Sequence, residues 1–508
     1  MTADSSTPSA ADADASSDDA TVSNVVLVTV DSLRADAVSP YDTARQSPVI
    51  DGLANSGTVF DRAFATGNWT PFSFPSILAS EPVFARSGDI GVDESVTLAE
   101  VLSDAGIATG GFNAANGFLT DHWGYPDGFD EFEPFVTSVG SSVYSRYLAA
   151  HPTVEAWIQL ATSPVRRLAS KLRGDDDDRP FLDASRMFDV EDAAIGFVDD
   201  TDEPFFLWVH YMDTHTPYVP APRYIREVSD GIVGTHRMLH AHTRTSLGLE
   251  VGERTLRELR TLYQATVRQV DASIGRLLDA LTDAGVADDT AVLLAGDHGE
   301  EFQDHGHLAH YPKLYDELIH VPLVAEVPGL DGGRVDGHVG LDAIPPTVAD
   351  LLGVDSAPEW HGESLLPALG GDDAPSESGD PNGDALPDDP VVSVTVRGED
   401  VTQQPIPRSL SDGDLFVSAR DDDWTYIENV DAGERELYHR PSDPTQQENL
   451  AVDPDAEARA VIDRLAPVVD DHAKLLRERG AAAAERGAAT DDEVDEDLEA
   501  RLEALGYK

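Results

Sequence analysis

The chain has 508 residues, long enough for one large core and a second, smaller one, because single cores rarely grow past about 250–300 residues. Its 35 basic and 95 acidic side chains give a net charge of −60, which repels nucleic acid and anionic lipid surfaces and argues against a DNA- or RNA-binding role. Cysteine is absent, which excludes disulfides, thiolate metal sites and cysteine nucleophiles.

Residues 1–23 are built of Ser, Ala, Asp and Thr, with too little apolar surface to offset chain entropy, and predict a disordered acidic tail. The run NVVLVTV (24–30) is apolar and β-branched throughout, the pattern of a strand buried on both faces; PFFLWVHYM (204–212) and TAVLLAG (290–296) repeat it. SVTLAEVLSDAG (95–106) predicts a helix with Ser95 as N-cap and Gly106 beyond its last turn. Leu256, Leu259, Tyr263, Val267, Val270, Ile274, Leu277 and Leu281 recur at three- and four-residue steps, which puts them on one stripe of a long helix ending at Gly285. Strands alternating with helices predict an α/β domain over 24–369, a mostly parallel sheet covered on both faces. The acidic, Pro/Gly-rich stretch 370–390 reads as a linker, and 391–508 as a small α+β domain. Within it, VVSVTV (391–396), DLFVSAR (414–420) and WTYIE (424–428) predict antiparallel strands, and 455–478 and 491–505 predict helices.

The first strand runs directly into Asp31, and the strand at 290 into Asp297 and His298 of AGDHGEEFQDHG (295–306). In open α/β sheets ligands sit beyond the carboxyl ends of strands, so two strand-end acids and a histidine form a candidate divalent-cation site. Asp31 taken alone reads equally as a turn or capping aspartate.

VTVDSLRADAVSPY (28–41), SPVIDGLANSGTVFDRAFAT (47–66), PFFLWVHYMDTHTPY (204–218), AGDHGEEFQDHG (295–306), KLYDELIHVPLV (313–324) and LDAIPPTVADLLGV (341–354) resemble, in order and spacing, the sulfatase family of the alkaline-phosphatase superfamily. ELYHRPSDPTQQENLA (436–451) resembles a segment of that family's small C-terminal domain. The resemblance implies an alkaline-phosphatase-like α/β fold and metal-dependent hydrolysis of sulfate esters. It places Asp31, Asp297 and His298 at metal-ligand positions, His215 at the position contacting the ester anion, and Lys313 at that of a leaving-group or anion contact. The implied cofactor is one divalent cation, Ca2+ by family, with Mn2+ and Zn2+ as alternatives. The implied substrate is a small-molecule or glycan sulfate or phosphate ester.

The family's nucleophile lies in a C/S-x-P-S-R motif, and SFPSI (73–77) falls at the matching place, giving Ser73 the nucleophile position and Pro75 the first turn of a helix; Thr70 is the reserve if the loop is offset. Ile77 stands where the motif's arginine would hold a formylglycine, which sets oxidation of Ser73 in question. Ser32 replaces the second acid that often follows the first, and Asn113 and Asn116 of GGFNAANGFL (110–119) read either as neutral donors or as a turn. His305, His307 and His310 read as loop histidines or as added ligands. These departures resemble the superfamily's phospho-transferring branches, so a phosphodiesterase or phosphotransferase using unmodified Ser73, and a non-catalytic binding protein on the same fold, stand as alternatives.

Lysine occurs only at positions 171, 313, 474 and 508, all other basic residues being arginine, so its presence at Lys313 suggests a need for a compact ammonium there. With the −60 charge, whose self-repulsion molar salt would screen, this reads as a haloarchaeal-type, salt-adapted member. No apolar run approaches the roughly 18 residues of a membrane span and no lysine or arginine precedes Arg34, so the expected compartment is the cytoplasm.

Overall fold

The computed structural model describes residues 22–136, 185–201, 204–231, 251–369, 389–398 and 406–487, together with Val233, Met238, His240, Ala241, Arg244 and Leu386. The tail expected at 1–23, the linker expected over 370–390 and the helix expected at 491–505 lie wholly or largely outside these residues.

The strands are β1 (Asn24–Val30), β2 (Thr58–Phe64), β3 (Ala108–Asn113), β4 (Glu131–Glu133), β5 (Phe205–Tyr211), β6 (Thr290–Gly296), β7 (Glu301–Phe302), β8 (Leu308–Ala309), β9 (His320–Val321), β10 (Leu323–Glu326) and β11 (Gly333–Gly340) in the N-terminal part. β12 (Val391–Arg397), β13 (Asp414–Arg420), β14 (Trp424–Asn429) and β15 (Glu434–His439) follow. The main sheet has the order β11-β2-β10-β6-β1-β5-β3-β4, with β9 paired to β2. Its centre is parallel: β1 pairs with β5 and β6, and β5 with β3. β10 runs antiparallel between β2 and β6. β1, β5 and β6 are buried at every position, which is why they read as continuous apolar runs rather than alternating ones.

Helices cover both faces. The 32-residue helix Glu253–Ala284 packs its apolar stripe into one core with Met187–Asp200, and ends at Gly285, whose φ of 77° is a left-handed conformation open to glycine. The opposite core contains α2 (Thr70–Ala79) and α3 (Leu98–Asp104), introduced after α1 (Pro48–Ser56). Two helix starts differ from expectation. The α3 N-cap is Thr97, not Ser95, because Thr97 forms a reciprocal capping box with Glu100 whereas Ser95 Oγ donates to Glu81. α2 begins at Thr70, with Pro71 in its first turn and Pro75 in its interior, so the helix starts upstream of the place that Pro75 suggested.

The second sheet is antiparallel, in the order β12-β13-β14-β15. Leu415, Val417 and Ala419 of β13 point to the long C-terminal helix Ala456–Gly487, through Leu465, Val469 and Leu476. Phe416, between them, points the other way, to Phe64 and Leu318, following the two-residue alternation of a strand. β12 docks on the segment between β2 and α2: Ser393 Oγ donates to Ala65 O at 2.7 Å and Val394 N to Thr66 O at 2.9 Å. The strand β15 was not anticipated as a strand; its exposed, charged outer residues hide the period.

Candidate active site and metal centre

Val30, the last residue of β1, is level with Tyr211 of β5 on one side and Gly296 of β6 on the other. Because these strands are parallel, the residues that follow leave the sheet at one edge. Backbone bonds fix the exits, Asp31 N donating to Tyr211 O at 2.8 Å and Asp297 N to Val30 O at 3.2 Å. Asp31, Asp297 and His298 are brought together and are buried. His298 Nε2 is 3.8 Å from Asp31 Oδ1 and 3.8 Å from Asp297 Oδ2.

A second imidazole, which sequence reasoning did not single out, joins them. His210 of β5 has its Nε2 at 3.9 Å from Asp31 Oδ2. Single ligand atoms of Asp31, His210 and Asp297 all lie within 4.8 Å of one another. The available signal was a histidine near the exit of an otherwise apolar strand, and it reads as a core residue until the neighbouring strand's aspartate is placed beside it.

The donor set fits a cation. His210 Nε2 and Asp297 Oδ2 are buried and have no hydrogen-bond partner among the described residues, the condition expected of atoms reserved for a ligand. Burial drives His210 down to about 4, Asp31 only partly opposing it, so the ring is neutral and able to ligate at neutral pH. Its Nδ1 is 2.9 Å from Thr29 Oγ1, which orients the ring. His298 Nδ1 lies 2.9 Å from Gly299 O; a carbonyl only accepts, so Nδ1 carries the hydrogen and Nε2 faces the carboxylates. Burial and the charge of Asp31 push Asp297 up, whereas for Asp31 the surrounding His215, His298 and His210 outweigh burial and hold it down. Two buried carboxylates of which one resists ionisation are short of positive charge.

Other groups trim the turn after β1. Ser32 adopts a left-handed φ of 56°, which lets its N–H donate to Asp297 Oδ1 at 3.0 Å while its hydroxyl donates to Asp31 Oδ1 at 2.7 Å. Ser32 thus links the two carboxylates, its hydroxyl to Asp31 and its N–H to Asp297. Asn116 Nδ2 is 3.4 Å from Asp31 Oδ2, a long contact, and Asn113 Nδ2 donates to Leu119 O at 2.9 Å. One of the two asparagines faces the site and the other holds the turn.

The hydroxyl that reaches the cluster is that of Thr70, whose Oγ1 donates to Asp31 Oδ2 at 3.1 Å. Thr70 opens α2, so it also sits at the positive end of that helix. Ser73, one turn on, is fully buried, and its Oγ donates to Gly67 O at 3.0 Å. Phe74, next in the helix, packs edge-on against His210 with ring centroids 5.0 Å apart.

His215 follows β5 and stands beside His310, ring centroids 4.9 Å apart, and His310 is 5.1 Å from His298. His215 Nδ1 donates to Thr216 O at 2.6 Å, and burial lowers its pKa, with Asp31 opposing. Burial takes His310 down to about 3 and Glu300, its neighbour at 3.2 Å, up to about 7; the Tyr218 hydroxyl donates to the other oxygen of Glu300. Lys313 belongs to an adjoining cluster: its Nζ is 3.5 Å from both carboxylate oxygens of Glu301 and donates to His305 O. His305 in turn pairs with Glu317 at 2.6 Å, and His307 stacks on Tyr311 at 3.8 Å.

The family model for sulfatases matches residues 23–354. This chain belongs to the sulfatase family. Iduronate 2-sulfatase of Homo sapiens is 26% identical over 357 residues, 60% of either chain. Arylsulfatase K of Danio rerio is 34% identical over 118 residues, 23% of this chain and 22% of its own, and choline-sulfatase of Rhizobium meliloti (strain 1021) 27% over 213 residues, 39% and 41%. The chain thus spans less than two thirds of the length of each of these relatives. In fold it resembles a phosphonate monoester hydrolase of Agrobacterium radiobacter, with TM-score 0.63 and 20% identity over 90% of this chain and 96% of that one. It also resembles a protein solved with D-glucosamine-2-N,6-O-disulfate, with TM-score 0.64 and 18% identity over 90% and 98%. No helix of the described residues is long and apolar enough to cross a membrane.

Proposed function

We propose that this sulfatase-family chain is a metal-dependent ester hydrolase in which the hydroxyl of Thr70 is the nucleophile and a sulfate ester is the substrate. The observation that carries the reading is the Thr70 hydroxyl, directed at Asp31 from the first turn of α2 and adjacent to a cation-deficient cluster. The T-P-F-S-F register starting at Thr70 keeps the family motif's fourth-position serine as Ser73, whose hydroxyl is engaged inside the helix.

Asp31, Asp297, His298 and His210 would hold the cation, and this mixed carboxylate and imidazole set suits Mn2+ or Zn2+ better than the all-oxygen shell preferred by Ca2+. When bound, such an ion supplies Lewis acidity to a non-bridging ester oxygen and makes a nearby hydroxyl more acidic. Thr70 Oγ1 forms the new bond to sulfur in line with the departing alcohol oxygen, whose bond to sulfur breaks. The proton from the hydroxyl passes to His215 Nε2, left free by the Nδ1 bond to Thr216 O, and is returned to the leaving oxygen. Water then attacks the threonyl ester, releasing sulfate and restoring the hydroxyl. The α2 N-terminus and Asn116 stabilise charge on the transferred group.

A phosphodiester or phosphonate monoester substrate is the second reading, and one observation favours it. Threonine is a secondary alcohol, so its oxidation gives a ketone rather than the aldehyde of formylglycine, and the buried ring of Phe74 stands where this register puts the motif's arginine. An unmodified hydroxyl is the nucleophile of phospho-transferring chemistry. Like sulfate monoesters, these esters carry one negative charge, so the same charge compensation serves them.

The test compares Thr70→Val and Ser73→Ala on aryl sulfate, phosphodiester and phosphonate substrates, with product analysis for sulfate or phosphate. Thr70→Val should lower kcat by about 10³-fold or more while retaining metal, and Ser73→Ala should stay within about threefold. The reverse pattern, or mass spectrometry showing two hydrogens lost from Ser73 in the peptide 63–86, would overturn Thr70 as nucleophile.

A further inference from the structure

Arg397, the last residue of β12, is a cation without a carboxylate partner among the described residues, in a chain with 95 acidic side chains. Several other arginines of the fold pair with carboxylates, as Arg86 with Glu81, Arg276 with Glu191 and Arg334 with Asp61. Arg397 donates to a backbone carbonyl, Pro312 O, from Nε at 3.2 Å and from Nη2 at 2.7 Å. Its guanidinium lies over the Phe416 ring with Cζ 4.1 Å from the centroid, and 5.6 Å from that of Tyr311. Two bonds to one carbonyl and a ring beneath it fix the plane of the group, and its remaining N–H donors have no acceptor among the described residues.

Its position relates it to the nucleophile. Tyr311 directly follows His310 in the chain, and Asn68, two residues before Thr70, donates to Tyr311 O at 3.2 Å. The Tyr311 ring is partly exposed, is stacked by His307, and has the Lys313 ammonium 5.4 Å from its centroid. Lys313 is compensated by Glu301 at 3.5 Å, whereas Arg397 has no carboxylate partner among the described residues. A positive charge with no carboxylate partner among the described residues, next to the Tyr311 segment that follows His310 and bonds Asn68, is complementary to an anion.

We propose that Arg397 forms an anion subsite for a second negatively charged group on the substrate, a carboxylate or a further sulfate on the leaving-group side, so that the preferred ester is at least a dianion. The assignment rests on the ester-hydrolase reading above and deepens it. A planar, fixed guanidinium suits a carboxylate or sulfate through two parallel hydrogen bonds, and the C-terminal sheet would thereby contribute to substrate choice.

The experiment uses the full metal-loaded protein and two unreactive probes at one ionic strength, benzenesulfonate and benzene-1,3-disulfonate, with calorimetric binding. The disulfonate should bind wild type about tenfold more tightly than the monosulfonate. Arg397→Gln should remove that advantage and leave monosulfonate affinity within about twofold, with near-ultraviolet circular dichroism confirming the fold. Equal affinity of the two probes for wild type, binding of neither, or an equal loss of both in Arg397→Gln overturns the subsite. Turnover of Thr70→Val is measured alongside: if it stays at the wild-type level the nucleophile reading fails, whereas the probe comparison stands or falls without any chemistry.

Discussion

An imidazole inside an apolar strand has to justify its desolvation, and His210 does so only if something other than protein meets its Nε2. Thr29 takes its Nδ1, Phe74 and Trp208 pack on the ring, and the remaining nitrogen faces Asp31 without a hydrogen-bond partner among the described residues. His210→Phe should therefore preserve packing yet lower the affinity for Mn2+ or Zn2+ by about tenfold or more, read by calorimetry on metal-stripped protein. Unchanged affinity and stoichiometry would remove His210 from the ligand set. Stripping the metal with a chelator should also lower Tm, because a cation that binds only the folded chain adds stability in proportion to the logarithm of its concentration over its Kd. A Tm indifferent to chelator would speak against a bound ion altogether.

The elements that carry these side chains were legible to different degrees. β1, β5, β6 and the helix Glu253–Ala284 were visible because each is uniformly apolar or apolar on one stripe, so burial alone writes their pattern. Asp31, Asp297 and His298 followed from the rule that parallel strands discharge their ends at one edge. His210 and the register of α2 were not visible, because a lone histidine in a strand and a choice between two proline-containing starts depend on which strand lies alongside and where the hydroxyls point. A similar tertiary dependence governs α1. The N–H groups of Val49 and Ile50 are capped not by a local side chain but by Asp271 Oδ1 of the long helix, at 3.0 and 2.9 Å, with Arg268 at 3.2 Å from the other oxygen. Burial outweighs these partners and pushes Asp271 up to about 6 from 3.8. As pH rises from about 4 to about 6 the unfolded chain loses this proton first, so the group's contribution to stability falls across that window and is lowest at neutral pH, by about 2–3 kcal/mol. Asp271→Asn keeps an acceptor oxygen for both N–H groups and removes the titration. Its Tm relative to wild type should be more favourable at pH 7 than at pH 4, and an equal difference at the two values would show that the carboxylate is not strained by burial.

For the whole molecule, charge is the dominant variable. Ion pairs such as Arg464 with Asp421, Arg477 with Asp431 and Arg62 with Asp336 tie surface segments together, but acidic groups exceed basic ones by 60, so most carboxylates have no cationic partner to pair with. Exposed pairs of this kind contribute at most about 1 kcal/mol each and weaken as salt is added. If they dominated, salt would destabilise the fold. Repulsion among the unpaired carboxylates acts in the opposite direction, and it is also screened, because the Debye length falls from about 10 Å at 0.1 M to about 3 Å at 1 M. With this excess of like charge the repulsive term should win, and folding should require high salt. Tm should therefore rise by about 10 °C or more between dilute buffer and 2 M KCl, equivalent to roughly 10 kcal/mol for a chain of this size. A parallel series in sucrose, which strengthens burial without screening charge, should give a smaller rise. A Tm that is flat or falling in KCl would mean that the acidic surface is not what limits stability, and would remove the argument for salt adaptation.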